Sequence, residues 1–132
     1  MTIVARYADS DIEIEGSGDA LRELASELQR LHGDLTLTLF VPARPASPYD
    51  GYAKALTLVP RGDYVRVSQT GDEIFISGAR DKLDILAKNI GRLAEGEDAP
   101  PLSGGKRHLH IEYYPGHFYV ESGSIPLVVT RS

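Results

Sequence analysis

The chain has 132 residues and a formal net charge of −5, with 42% hydrophobic and 25% charged residues. These fractions are typical of a soluble globular protein with its own apolar core, and the lack of cysteine excludes disulfides, thiolate metal sites and a cysteine nucleophile. Because an acidic protein repels the phosphate backbone, we expect no nucleic-acid binding, and a basic protein is the more natural partner.

The N-terminus carries no targeting pattern. Residues Met1 to Asp9 lack a basic stretch followed by an apolar segment. No apolar run in the chain reaches the length that is needed to cross a bilayer. We therefore expect a cytoplasmic protein that does not associate with membranes.

A β-hairpin followed by a helix is predicted at the start of the chain. Ile3 and Ala5, and then Ile12 and Ile14, alternate with polar residues on the two sides of a turn, which is the pattern of half-buried strands. Ser17, between two glycines, offers a side-chain cap to the helix that follows. The apolar residues of that helix recur at helical spacing: Leu21, Leu24, Ala25, Leu28 and Leu31.

Two strands and a loop complete the first half. Residues 35–41 alternate between apolar residues and threonine, and residues 55–59 are again mainly apolar, so both segments predict strands. Residues 42–53 contain three prolines and predict an exposed loop that cannot continue a strand pairing.

The second half repeats the first. Residues 12–31 and 74–93 align without a gap at a displacement of 62 positions, with nine identities in twenty residues. The same elements are therefore expected again, with closing strands at His108–Tyr114 and Ile125–Thr130. A low-complexity segment from Glu95 to Gly105 precedes them and predicts a mobile loop.

The repeat predicts an α+β fold. It indicates a tandem duplication of a β-β-α-β-β unit, with units at residues 1–61 and 62–132 of a single domain. Each helix has one apolar stripe, and one helix alone cannot form a core. We therefore expect both helices on one face of a mainly antiparallel sheet, related by approximate two-fold symmetry. The pattern is compatible with one continuous sheet and with two.

One predicted strand carries a polar face that could bind a metal ion. His108, His110 and Glu112 occupy alternate positions, so their side chains share a face, and imidazole and carboxylate groups are zinc ligands. His117, across the following turn, is the nearest further ligand. Solvated polar strand faces are common, so a metal-binding domain or metal-dependent enzyme is an alternative interpretation. No other catalytic pattern is present, and the leading interpretation is a non-enzymatic protein without a cofactor.

Aromatic residues concentrate in the loops that precede the last strand of each half. Tyrosine is favoured at interfaces because it adds contact area and a hydrogen bond at low entropic cost. Two glutamates of the first hairpin add negative charge that suits a basic partner. The predicted partner-binding residues are Tyr49, Tyr52, Tyr113, Tyr114, His117, Phe118, Tyr119, Glu13 and Glu15. The alternative is that the rings only seal the ends of the core.

The segment from His108 to Val129, HLHIEYYPGHFYVESGSIPLVV, together with the preceding unit from Ile74 to Leu93, resembles the immunity protein 32 family of bacterial polymorphic-toxin systems. In the first half the resemblance lies in the repeated strand and helix pattern, and residues 42–53 have no counterpart. The resemblance implies a cytoplasmic, non-enzymatic protein that binds and neutralises a cognate toxin. A regulator that binds a small ligand in the seam between the halves is a further alternative.

Overall fold

The structure, a computed structural model, describes residues 1–96 and 107–132. The elements of these residues are, in chain order, β1 (Ile3–Tyr7), β2 (Ile12–Gly16), α1 (Gly18–Arg30), β3 (Leu35–Thr38), β4 (Gly51–Tyr52), β5 (Ala55–Val59), β6 (Arg66–Thr70), β7 (Glu73–Ser77), α2 (Arg80–Glu95), β8 (Arg107–Ile111) and β9 (Leu127–Arg131). The low-complexity loop predicted from Glu95 to Gly105 lies, beyond Gly96, outside the described residues. Neither helix has the length and apolarity of a bilayer span within the described ranges.

The strands form two sheets, which together with the two helices give the predicted α+β fold. The sequence pattern was compatible with one sheet or with two, and the structure has two. The five-stranded sheet has the order β4-β1-β2-β9-β8, and the four-stranded sheet has the order β3-β5-β7-β6. Most neighbouring strands are antiparallel, but β2 pairs with β9, and β5 with β7, in parallel. Both sheets are therefore mixed.

Each sheet combines strands from both halves of the chain. The first hairpin, β1 and β2, is completed by the last two strands, β9 and β8, and the second hairpin, β6 and β7, is completed by β5 and β3. The order β1-β2-β9-β8 thus matches the order β6-β7-β5-β3. A duplicated unit with exchanged strands would produce this match, and the duplication itself stays a prediction.

The two helices pack against each other and cover the buried faces of the sheets. Ser17 caps α1 as predicted, because its Oγ accepts a hydrogen bond from the Ala20 backbone N–H at 3.1 Å. Gly96 ends α2 with a φ of 75°, a conformation that suits glycine. The predicted stripes of both helices are buried in one core cluster, with these largest members: Leu21, Leu24, Leu28, Leu83 and Leu86.

Two long loops run along the sheet edges. The Ala53 N–H donates to the Ala5 carbonyl at 2.9 Å, and the Ile125 N–H donates to the Val67 carbonyl at 2.9 Å. The first loop ends in β4, which pairs with β1. The prediction that residues 42–53 take no part in strand pairing is therefore wrong for Gly51 and Tyr52. These bonds satisfy backbone groups at edges that would otherwise be unpaired.

Candidate functional site

The outer face of the five-stranded sheet, which points away from the core, carries a connected set of polar side chains. Arg6 Nη1 donates to Glu13 Oε1 at 2.9 Å and to Glu15 Oε1 at 3.0 Å. Thr130 Oγ1 donates to Glu13 Oε2 at 3.0 Å, and His108 Nδ1 lies 3.0 Å from the same hydroxyl. Three of the residues singled out in the sequence therefore meet in one network that spans β1, β2, β9 and β8.

This network is partly buried, and the charge of Arg6 offsets one of the two glutamate charges. The side chains of Arg6, Glu13 and Glu15 are 12%, 21% and 17% exposed. Burial lowers the pKa of Arg6, but the hydrogen bond to Glu15 and the charges of both glutamates outweigh it, so that the pKa is raised. The ion pairs of Arg6 with the two glutamates therefore link β1 to β2. Arg6 was not identified from the sequence as a site residue, although the register of the predicted hairpin places it opposite Glu13.

Two tyrosines of the first long loop border the network. The Arg6 guanidinium lies over the Tyr52 ring, 5.5 Å from its centroid, and the Tyr52 hydroxyl donates to the Pro45 carbonyl at 3.2 Å. Burial raises the pKa of Tyr49, and the negative charges of Glu13 and Asp11 raise it further. Both tyrosines are partly buried, so this loop folds back over the sheet.

The proposed metal ligands do not assemble. His108 and His110 are neighbours on β8, with ring centroids 6.5 Å apart, and Glu112 lies exposed beyond the end of that strand. His117 lies in the following turn, and its Nδ1 accepts hydrogen bonds from the backbone N–H groups two and three residues later, at 3.1 and 3.0 Å. Within residues 1–96 and 107–132, no group of three or more histidine, aspartate and glutamate side chains is placed to hold a metal ion.

The seam between the halves is filled by side chains. Leu24 and Leu28 of α1, and Leu86 and Ile90 of α2, are at most 1% exposed and belong to the common core cluster. This packing weakens the alternative of a small ligand in the seam, because that alternative needs an open cleft there.

The aromatic turn, residues 113–118, is an exposed aromatic surface. Tyr113, Tyr114 and Phe118 are 39%, 56% and 61% exposed. The ring of His117 lies between two of them, with its centroid 4.5 Å from that of Tyr114 and 5.6 Å from that of Phe118. These ring contacts favour the observed positions of Tyr114 and Phe118 in the absence of a partner.

Tyr119, the remaining aromatic residue of the predicted contact set, has a different position. It is only 5% exposed, and its hydroxyl accepts a hydrogen bond from Asn89 of α2 at 3.1 Å. Its backbone carbonyl accepts the Val65 N–H at 2.7 Å. Tyr119 therefore anchors the aromatic turn to α2 and to the edge of β6, and its buried ring is not available to a partner.

One end of the five-stranded sheet collects several loops. Tyr7 is paired with Gly51 and Ile12, and Leu127 is paired with Ile12 and Ile111. Because these pairs lie in one row across the sheet, the turn between β1 and β2, the residues before β4 and the residues after β8 emerge at the same end. We name this region the acidic end, after the carboxylates Asp9, Asp11, Asp50 and Glu112.

None of these four carboxylates forms an ion pair in the part of the chain that the structure describes. Asp9, Asp50 and Glu112 are exposed, and Asp11 is partly exposed. A recess of about 310 Å³ opens beside them, lined by Ala8, Ser10, Asp11, Pro48 and Tyr49. The sequence did not single out these aspartates. The sequence showed that they lie next to predicted strands, but it did not show which strands pair and so bring these aspartates to the same end of the sheet.

Comparison with known proteins gives one match. A protein-family model described as Immunity protein 32 matches residues 11–36 and 73–132. The matched ranges contain β2, α1, β7, α2 and the aromatic turn, and they leave out the first long loop. No match was found among curated proteins or among solved structures.

Proposed function

The chain belongs to the immunity protein 32 family, and we propose on this basis that it is a non-enzymatic protein that binds a cognate bacterial toxin in the cytoplasm and neutralises it. The family membership confirms the resemblance that was inferred from residues 108–129. A toxin-neutralising role follows from the family, and the manner of neutralisation is our proposal.

The exposed aromatic turn is the observation that supports neutralisation by binding. It lies within the residues that the family model matches, and it presents three aromatic rings that are between 39% and 61% exposed. Covering apolar surface favours association, and tyrosine is frequent among residues that dominate interfaces. A partner that covers this turn would gain affinity without a change in the fold.

We propose that the toxin is basic and is blocked sterically. The chain carries a net charge of −5, which favours association with a positively charged protein. A specific complex of ordinary size buries about 800 Å² on each partner, enough to cover or distort a toxin's functional surface. On this proposal no chemical step is needed, and one molecule inactivates one toxin.

The direct test uses a candidate toxin domain encoded by a neighbouring gene. We expect the purified proteins to form a stable complex on size-exclusion chromatography, and toxin activity to fall linearly until the two are equimolar. Full inactivation of excess toxin by a small fraction of this protein would contradict a non-enzymatic role. Failure to bind and to protect against any adjacent toxin would end the proposal.

A pair of variants tests the contact surface. Tyr113→Ala combined with Tyr114→Ala should weaken the complex at least tenfold, because exposed aromatic anchors dominate such interfaces. Phe40→Ala is the matched control, since Phe40 is 55% exposed, close to the 56% of Tyr114, and lies outside the matched residues. Equal losses for both variants would remove the aromatic turn from the proposed interface.

A further inference from the structure

The aromatic turn and the acidic end form one continuous surface. Glu112 follows the last residue of β8 and directly precedes Tyr113, so the chain passes from one feature into the other. Neighbouring strands lie about 4.8 Å apart, and the end from β4 to β8 is therefore about 19 Å wide. One protein partner that buries about 800 Å² on this molecule could therefore contact the whole width of this end.

The charge of this surface is not balanced internally. Elsewhere, exposed aspartates have cationic neighbours: Asp34 lies 2.7 Å from Arg61, and Asp72 lies 3.5 Å from Lys54. At the acidic end, the carboxylates form no ion pair with any described residue. A cationic group from outside the molecule would therefore find unoccupied carboxylates beside exposed tyrosine rings.

The recess at this end combines an anionic and an aromatic wall. Asp11 lines it from the turn between β1 and β2, and Tyr49 lines it from the first long loop. The phenol of Tyr49 already experiences the negative charges of Asp11 and Glu13, which help to raise its pKa after burial. A carboxylate beside a tyrosine ring suits a guanidinium or ammonium group, which pairs with the first and stacks on the second.

We propose that the acidic end and the aromatic turn together dock a basic face of the toxin, with an arginine or lysine side chain of the toxin in the recess between Asp11 and Tyr49. The inference rests on the proposed function and specifies its surface. Tyr113 and Tyr114 supply apolar contact, and Asp9, Asp50 and Glu112 steer and orient the approaching cationic surface.

The test compares two variants of equal net charge against the same candidate toxin domain. The first combines Asp9→Asn, Asp11→Asn and Asp50→Asn. The second combines Asp34→Asn, Asp63→Asn and Asp72→Asn, which remove the same charge at exposed positions away from the acidic end. We expect the first variant to weaken binding at least about 100-fold and to reduce its salt dependence, and the second to stay within about threefold of the unmodified protein. Circular dichroism confirms that both remain folded.

The outcomes separate this inference from the proposed function. If the unmodified protein binds the toxin and both variants bind it equally well, the acidic end is not the docking surface and the proposed function stands. If the unmodified protein binds no toxin, the proposed function fails.

An NMR titration with a short arginine-rich peptide provides a readout without the toxin. We expect chemical-shift changes at residues 8–11, 48–50 and 112–114 that disappear in the first variant and persist in the second. Changes confined to other residues, or no changes, would overturn the assignment of a cation-binding recess.

Discussion

Arg6 has a stabilising role that is unusual among the charged residues of this protein. It lies between two partly buried glutamates on adjacent outward positions of β2 and donates to both. Without this cation, two like charges would share a face with limited access to water, which is costly. This guanidinium group therefore stabilises the outer face of the five-stranded sheet.

Replacing Arg6 with methionine keeps an apolar stem and removes the charge. We expect the free energy of unfolding, measured by urea titration, to fall by about 2 kcal/mol, below the cost for fully buried pairs because the site is partly solvated. Arg61→Met is the control, since Arg61 and Asp34 are 68% and 46% exposed, and it should cost less than about 0.5 kcal/mol. Similar losses for the two variants would contradict the role assigned to Arg6.

His117 makes the aromatic turn sensitive to pH. Burial lowers the pKa of His117, and its Nδ1 must be unprotonated to accept the two backbone N–H groups. The unfolded chain has the ordinary histidine pKa of about 6.5, so between that value and the lower folded pKa the unfolded state binds more protons. The contribution of His117 is therefore complete above about pH 6.5 and is lost as the pH falls through the folded pKa.

His117→Asn removes this contribution. The gap in unfolding free energy between the unmodified protein and this variant should be largest near pH 7.5 and should narrow towards about pH 5. His110→Asn, which changes an exposed histidine on β8, is measured in parallel as the control. Parallel stability profiles for the unmodified protein and His117→Asn would contradict the prediction.

At the scale of single elements, local pattern was sufficient for most of the fold. β3 falls within the strand predicted at residues 35–41, and β8 overlaps the one predicted at 108–114, because apolar alternation is a local property. β4 was not predicted because it has only two residues, Gly51 and Tyr52, which are too few to show an alternation of apolar and polar side chains. The partners of the strands were not predictable, since pairing of β5 with β7 depends on how the whole core is covered.

The candidate site was predictable only in part, for the same reason. Tyr49 and Glu13 were selected by residue type, and the structure places them close together. Arg6 forms an ion pair with Glu13, whereas Asp11 forms no ion pair with any described residue. This difference depends on which strands are neighbours and on which loops fold back over the sheet. Three of the four carboxylates at the acidic end, Asp9, Asp11 and Asp50, were therefore not among the residues that the sequence indicated.

The N-cap positions of the two helices carry different side chains. Ser17 has φ −66° and ψ 167°, Ala79 has φ −66° and ψ 159°, and only Ser17 supplies a side-chain cap. Ala79→Ser should therefore cap α2 and raise the free energy of unfolding by about 1 kcal/mol, whereas Ser17→Ala should lower it by a similar amount. Urea titrations of the two variants provide the measurement, and a loss of stability in Ala79→Ser would show that its site cannot accept the hydroxyl.

At the scale of the whole molecule, each sheet contains strands from both halves of the chain, which holds the halves together. β9 lies between β2 and β8 in the five-stranded sheet, and β5 lies between β3 and β7 in the other. Unfolding either half would therefore remove interior strands from both sheets and expose the common core. This arrangement favours a single cooperative unfolding transition, in which circular dichroism and tyrosine fluorescence change together.

Dividing the chain tests this dependence. Residues 60–65 connect β5 and β6, and Arg61 and Gly62 are exposed, so fragments 1–61 and 62–132 interrupt no strand. Each fragment keeps a hairpin and a helix but lacks the strands that complete its sheet, and isolated hairpins are marginal in water. We expect each to be unfolded alone by NMR, and an equimolar mixture to recover the spectrum of the intact chain. A fragment that folds alone as a monomer would show that the strands contributed by the other half are dispensable for its stability.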